Sequence, residues 1–366
     1  MRALAVRSLG VRGFRNLTRV DIDLGARFNV VSGENGQGKT NLLESVYVVA
    51  TSRSFRTSML TDLISLGSEV ASLRASIDED RQLREQTVGL RAGVRAVRID
   101  GRRPPTLAAY AVRTPTVVFH PGAVALVAGA GGERRKLLDR VALYLLPGSM
   151  GDSKSYAKAL RARQRVLESR GESASDLDGW EDLLVRHGFA LMAARSIAAD
   201  RLLPATLAAF TRIGAPGLQL AARYACSCPD TPEQYRESLL RQRARDRARG
   251  FASTGPHRDD LALTLGDHPV RGMASQGQQR AVVLALQLGE ISVISAVSGT
   301  RPILLMDDVS SELDRRTTVR LFDILREEPG QILLTTTRPE VIDAAGLLAG
   351  EARVDFVVLA GQITRR

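Results

Sequence analysis

The eight residues Gly33-Glu34-Asn35-Gly36-Gln37-Gly38-Lys39-Thr40 match the pattern G-x-x-x-x-G-K-[ST]. They stand between a short apolar run, Phe28 to Val31, and a stretch from Thr40 to Ala50 in which Leu42, Leu43, Val46 and Tyr47 recur at helical spacing. A strand, a glycine loop and a helix in this order commit the chain to an α/β sheet with an anion cradle at the end of a strand. Glycines let backbone N–H groups approach phosphate oxygens, and the helix N-terminus adds its positive dipole end. The expected ATP cradle is therefore Gly33, Asn35, Gly36, Gln37, Gly38, Lys39 and Thr40. Lys39 is expected at the β- and γ-phosphates and the Thr40 hydroxyl on Mg²⁺.

Far downstream, Ile303-Leu304-Leu305-Met306 runs into Asp307-Asp308. This reads as a buried parallel strand that delivers acids to its C-terminal edge, where ligands of such sheets bind. Asp307 is expected to hold Mg²⁺ directly or through water, and Asp308 to orient or deprotonate the attacking water. The catalytic set is thus Lys39, Asp307 and Asp308, and the Mg²⁺ ligands are Thr40 and Asp307. Ala274-Ser275-Gln276-Gly277-Gln278-Gln279-Arg280 precedes an apolar helix that leads to the acidic strand, and Ser311-Glu312-Leu313-Asp314 follows it.

Between these motifs the pattern changes. Val20, Ile22 and Leu24 alternate with Asp21 and Asp23, and strands are expected near Val70 to Ile77, Thr87 to Leu90 and Val94 to Ile99, with a tight turn at Asp100-Gly101. They imply a second, antiparallel sheet. After Phe119 helices are expected at Tyr156 to Arg170 and Trp180 to Arg201, with Trp180, Leu183, Leu184, Leu191, Ala194 and Ile197 as a core stripe. Thr231-Pro232-Glu233-Gln234 reads as a capped helix start, and Gly250 ends that helix. The expected division is 1–120, an ATPase lobe with the phosphate loop; 121–300, a mainly helical lobe carrying the Ser-Gln-Gly-Gln segment near its end; and 301–366, the rest of the ATPase lobe.

Composition narrows the partners. The 366 residues carry a formal charge of +11 and a pI near 10.4, so nucleic acid is the favoured polyanion. Lysine occurs only at positions 39, 136, 154 and 158, so arginine supplies almost all of the charge. An arginine-favouring composition accounts for this equally well. Arg236, Arg241, Arg243, Arg245, Arg247 and Arg249 crowd one expected helix. Arg241, Arg243 and Arg245 are the candidate DNA contacts, against the alternative of a solvated helical face. Two cysteines, Cys226 and Cys228, are too few for a disulfide framework or a four-cysteine zinc site, which sets a reducing cytoplasm as the default. The first residues lack the apolar core of a signal peptide. The most apolar stretch, Ala281 to Val297, is interrupted by Gln287, Gly289 and Glu290 and reads as a buried helix with no membrane partner.

The order of phosphate loop, Ser-x-Gly-Gln turn, Asp-Asp strand and Ser-x-Leu-Asp loop resembles the ABC-type ATPases, including their SMC-like DNA-repair branch. Within that branch the chain resembles the RecF family over nearly its whole length. The likeness is carried by Gly13-Phe14-Arg15-Asn16, Arg53-Ser54-Phe55-Arg56, Glu133-Arg134-Arg135 with Asp139, Gly255-Pro256-His257-Arg258-Asp259-Asp260, and Ser275-Gln276-Gly277-Gln278-Gln279.

The resemblance implies an ABC-type, SMC-like head with two sheets around the phosphate-loop helix and an inserted helical lobe. It also implies a weak, DNA-dependent ATPase that forms an ATP-dependent homodimer. Ser275, Gly277, Gln278 and Asp314 would then meet the ATP held by the partner subunit. Duplex DNA and single-strand/double-strand junctions, and RecR, RecO and RecA in gap repair, are the implied partners. Arg12, Arg15 and Arg56 are implied nucleotide contacts. Asp308 stands where many ABC ATPases use Glu, which predicts slow turnover. The competing readings are a transporter's energising subunit, a short SMC-type head, and a binding module with ATP as a structural ligand. The basic charge, the RecF-like segments and the insert without long heptads weigh against the first two.

Overall fold

The computed structural model describes residues 1–214, 217–308, 314–327 and 330–366. Its contacts divide the chain into two compact units, Met1–Val124 with Ala208–Pro216 and Ser275–Arg366, and Ala125–Leu207 with Gly217–Ala274.

The first unit opens with β1 (Leu4–Phe14), β2 (Leu17–Asp23), β3 (Phe28–Ser32) and helix α1 (Lys39–Thr51). It continues with β4 (Val70–Glu79), β5 (Gln82–Arg91), β6 (Val94–Ile99), the short α2 (Leu107–Ala111) and β7 (Thr116–Phe119). In the second unit α3 (Ala125–Ala128), α4 (Gly132–Leu145), α5 (Ser149–Arg170) and α6 (Leu177–Ile213) precede β8 (Leu220–Ala225), α7 (Pro232–Arg241), α8 (Arg243–Arg249), β9 (Asp260–Leu265), β10 (His268–Pro269) and the turn α9 (Val270–Met273). The chain then returns to the first unit with α10 (Gln276–Ser298), β11 (Ile303–Met306), a helix at Arg315–Glu327, β12 (Ile332–Thr336), a short helix at Pro339–Ala344, β13 (Arg353–Leu359) and β14 (Gln362–Arg365).

Two sheets form the first unit. One is antiparallel in the order β2-β1-β4-β5-β6, and in β4 Ala71, Leu73, Ala75 and Ile77 turn inward while Val70, Ser72 and Arg74 face out. The other has the order β14-β13-β3-β12-β11-β7, parallel except for the β13–β14 hairpin. Every residue of β11 and β12 is buried, as a sheet covered on both faces requires. Helix α1 packs against β1, β4 and β5 of the first sheet and against β7, β11 and β12 of the second. It is consequently buried all round from Leu42 to Thr51, beyond the four inward residues read from its periodicity. The Gln331 side chain bonds both the N–H and the carbonyl of Val6 and the carbonyl of Gly25, tying the start of β12 to β1. The turn at Asp100-Gly101 forms as expected, with both residues at positive φ between Ile99 and Arg102.

The expected division at 300 is corrected to 274. Helix α10 belongs with the parallel sheet, because its apolar residues pack on β7 and the buried Gln287 donates 2.8 Å to the Val118 carbonyl. The Ser-Gln-Gly-Gln segment therefore starts an element of the first unit. α10 is long and apolar enough to cross a membrane, but most of its apolar surface is buried within the protein.

Helix α6 runs for 37 residues with Pro204 inside it, its residues from Ala208 onward counting with the first unit. Of the expected core stripe, Leu184, Leu191 and Ala194 are buried and Trp180 is half-buried, whereas Leu183 and Ile197 face outward. The helix buries a narrower face than the six apolar positions implied. The single arginine-rich helix is two: α7 ends at Arg241 and α8 begins at Arg243, broken at Gln242. Thr231 caps α7 by accepting from the Gln234 N–H, a bond worth about 1 kcal/mol, and Gly250 closes α8 at positive φ.

Candidate functional site

The phosphate loop leaves β3 at Ser32 and enters α1 at Lys39. Gly33 has φ +153°, and a Cβ there would lie 2.5 Å from the Val358 carbonyl oxygen. Gly38 has φ +118°, and a Cβ there would meet Asn16 Oδ1 at 2.9 Å. Only glycine fits either position. The loop is braced from outside as well: Asn16 Nδ2 donates to the Gln37 carbonyl, Gln37 Oε1 accepts from the Ala360 N–H, and the Gly361 N–H donates to the Gln37 carbonyl. Helix α1 has no side-chain cap and no acid in its first turn, so its leading N–H groups and dipole face the loop.

Lys39 is buried, and its Nζ donates to the carbonyls of Gly33 at 2.7 Å and Glu34 at 2.8 Å. Burial holds its pKa below the ordinary lysine value, while the charges of Asp308 and Asp307 oppose the shift. Thr40 Oγ1 lies 2.9 Å from both carboxylate oxygens of Asp307 and donates its one proton between them. Asp307 also accepts from Thr335 Oγ1 at 2.9 Å, and that hydroxyl accepts from the Asp308 N–H. The structure thus brings Lys39, Thr40, Asp307 and Asp308 together across 267 residues of chain. Asp308 has φ +49°, a left-handed conformation that Asp tolerates better than most residues and that costs roughly 1–3 kcal/mol.

Glu44, one turn beyond Thr40, escaped the sequence reading. It is fully buried and accepts from Arg15 Nε and Nη2 at 3.0 Å, Arg56 Nη1 at 3.1 Å and Ser54 Oγ at 2.5 Å. Arg56 further donates to Asn41, and Asn41 to Asn16. The Gly-Phe-Arg-Asn and Arg-Ser-Phe-Arg segments therefore meet at a carboxylate on the phosphate-loop helix. The available signal was a glutamate in the apolar run Leu42 to Val49, a position that demands cationic partners. Arg12 pairs with Asp21 of β2.

The hydrogen bonds of Ser275 and Gln278 close on each other. Ser275 Oγ accepts from the Gln278 N–H and Gln278 Oε1 from the Ser275 N–H, a capping box at the start of α10. Ser275, Gln276 and Gly277 are exposed, and a Cβ at Gly277 would meet nothing within 4 Å among the described residues. Among the described residues, neither Ser275 nor Gln278 bonds residues 33–40 of its own chain. Asp314 is exposed and caps the helix that follows it, its carboxylate accepting from the Thr317 hydroxyl and N–H, which hold its pKa below the ordinary range. Ser311, Glu312 and Leu313 lie outside the described residues.

In the second unit the other family-like segments build a separate ionic hub. Asp259 is fully buried and accepts from Tyr224 Oη, the Ser227 N–H and hydroxyl, and Arg195. Arg195 also reaches Asp139, Arg134 pairs with Asp260, and Arg135 bonds the Asp259 carbonyl. His257 holds Tyr156 Oη at 2.7 Å and the Ala252 carbonyl at 3.0 Å, which is a structural role.

Of the candidate DNA contacts, Arg243 is corrected: its guanidinium lies among Glu181 and Asp178 and serves the core of the unit. Arg241 is exposed but paired with Glu237, and Arg245 is exposed.

A glycine cradle, a buried lysine and a threonine-aspartate pair between two sheets define an ABC-type ATPase head of the SMC-like branch. The RecF/RecN/SMC N-terminal domain family matches residues 5–355. A DNA replication and repair protein RecF of Anaeromyxobacter sp. (strain Fw109-5) is 37% identical over 98% of each chain. The protein so named in Myxococcus xanthus (strain DK1622) is 35% identical over 100% of this chain and 98% of its own. The chain belongs to the RecF family. Its fold agrees: a structure of the recombination mediator protein RecF-ATP in the RecFOR pathway superposes with a TM-score of 0.86, at 24% identity over the full length of both chains. An Smc head domain derived from Pyrococcus furiosus gives 0.56 at 16% identity, over 99% of this chain and 96% of that one.

Proposed function

We propose that this chain is an ATP-dependent, DNA-binding recombination mediator of gap repair, which closes into a homodimer around ATP and hydrolyses it slowly. The observation that carries this reading is the Lys39–Thr40–Asp307–Asp308 cluster in a head whose Ser275–Gly277 turn is exposed and, among the described residues, unengaged with its own loop. RecF proteins are described as DNA replication and repair proteins, and one solved relative is placed in the RecFOR pathway. By that kinship RecO, RecR and RecA are the expected partners.

The residues fit the nucleotide. Positive-φ glycines leave room for phosphate beside the backbone N–H groups, and Lys39 already points its ammonium into the loop. Thr40 and Asp307 would hold Mg²⁺, which would neutralise charge on the transferred phosphoryl group. Asp308 orients a water whose oxygen bonds to the γ-phosphorus as the bond to the ADP oxygen breaks, and it takes the water's proton. Ser275 and Gly277 serve the site of a second copy, so ATP favours the closed dimer and ADP releases it.

Turnover is expected at about 1 s⁻¹ or below and to rise with duplex DNA. Single-turnover hydrolysis with Asp308→Ala as control tests it: a burst as fast without DNA as with it contradicts the reading, and wild-type product no greater than that of Asp308→Ala leaves only a nucleotide-binding module.

A further inference from the structure

Positive charge in the second unit falls into two classes. Arg163, Arg195, Arg236 and Arg243 each meet a carboxylate, as do Arg134 and Lys136. Exposed cations with no ion pair among the described residues include Arg186, Arg201 and Arg245, and helix α5 gathers several more on one face. Lys154, Lys158, Arg161 and Arg165 recur at spacings of four, three and four, which aligns them in one stripe along about 16 Å of helix. All four are exposed. Among the described residues Lys158, Arg161 and Arg165 form no ion pair. The opposite face is fixed by the core, since Tyr156, Ala159, Arg163, Val166 and Leu167 are buried and Arg163 is pinned between Glu181 and Asp246. The stripe therefore cannot turn inward.

Two further facts distinguish this stripe from an ordinary solvated face. Two of the four lysines in the chain lie on it, which an arginine-favouring composition does not explain. Like charges three and four residues apart repel one another, and folding has supplied no counter-charge for three of them. A line of anionic groups laid along α5 would relieve that repulsion, and the duplex backbone, with roughly one charge per 1.7 Å of axis, is such a line. Flexible lysine and arginine side chains suit phosphate contacts that position a protein without reading sequence.

We propose that the Lys154–Lys158–Arg161–Arg165 stripe is a phosphate-backbone contact surface for duplex DNA. The proposal rests on the reading of this chain as a DNA-binding protein and moves the contact from Arg241, Arg243 and Arg245 to a different helix. The test is the salt dependence of binding to a duplex of random sequence, for wild type and for the triple variant Lys158→Gln, Arg161→Gln, Arg165→Gln, with fluorescent-nucleotide binding measured in parallel. The triple variant is expected to lose roughly tenfold or more in affinity and to flatten the slope of log K against log salt by about 2.7, with nucleotide binding unchanged. Lys158→Gln alone, an exposed change with no ion pair to lose among the described residues, should give about a third of the slope change. Equal slopes for wild type and triple variant overturn the stripe and leave the DNA-binding reading standing. Absence of duplex binding by wild type overturns both.

Discussion

Lys39, Thr40, Asp307 and Asp308 in the first unit and Arg134, Arg195, Asp259 and Asp260 in the second are both charged clusters joined over long stretches of sequence. They differ in what their charges face. In the second cluster each charge is answered from within: Asp259 alone accepts hydrogen bonds from Tyr224, Ser227 and Arg195. In the first cluster, among the described residues, Lys39 bonds only to the carbonyls of its own loop, and Thr40 meets Asp307 beside backbone N–H groups that no side chain caps. Saturated charge specifies a fold, whereas charge held at a glycine cradle recognises an external anion.

The largest effect expected from this contrast is at Lys39. Lys39→Met should abolish measurable nucleotide binding, read by fluorescent-nucleotide titration, with little change in unfolding midpoint. Next comes the opposite signature in the second unit. Arg163→Met leaves the buried Glu181 and Asp246 short of a partner and should cost about 3–5 kcal/mol in denaturant unfolding, while the folded fraction still binds nucleotide normally. Equal losses of nucleotide affinity in both variants would erase the distinction. Glu44→Gln, which weakens the hold on Arg15 and Arg56, sits between them and should cost roughly 1–3 kcal/mol and weaken nucleotide binding severalfold.

The smallest effect is pH-dependent. Burial holds the His257 pKa below 6.5, so the unfolded chain takes up the proton first as pH falls. The unfolded state then binds more protons than the native state, and stability rises with pH through the window below about 6.5. Melting temperatures between pH 7.5 and 5.5 should therefore fall more steeply for wild type than for His257→Gln; parallel curves would remove the histidine from the account.

The contrast also explains what the sequence disclosed. The phosphate loop, the apolar strand ending at Asp307 and the turn at Asp100-Gly101 were legible because spacing alone dictates them. Ionic pairing was not, since no local pattern tells Arg243, which faces Glu181, from Arg245, which faces solvent. Dense arginine between 236 and 249 drew the DNA assignment there, while the sparser α5 stripe became visible only once partners were known. The boundary after Ala274 was missed for a similar reason: an apolar helix such as α10 packs equally well, on pattern alone, in a helical lobe or on a sheet.

The central claim is that two copies complete one another's site, and mixing two defective variants tests it most directly. Lys39→Met spoils the loop but keeps Ser275, whereas Ser275→Arg spoils the turn but keeps the loop. Each variant alone should neither dimerise on ATP nor hydrolyse it, and an equimolar mixture should recover hydrolysis through the one intact composite site of the heterodimer. Full activity of Ser275→Arg alone, or no recovery on mixing, would contradict the account.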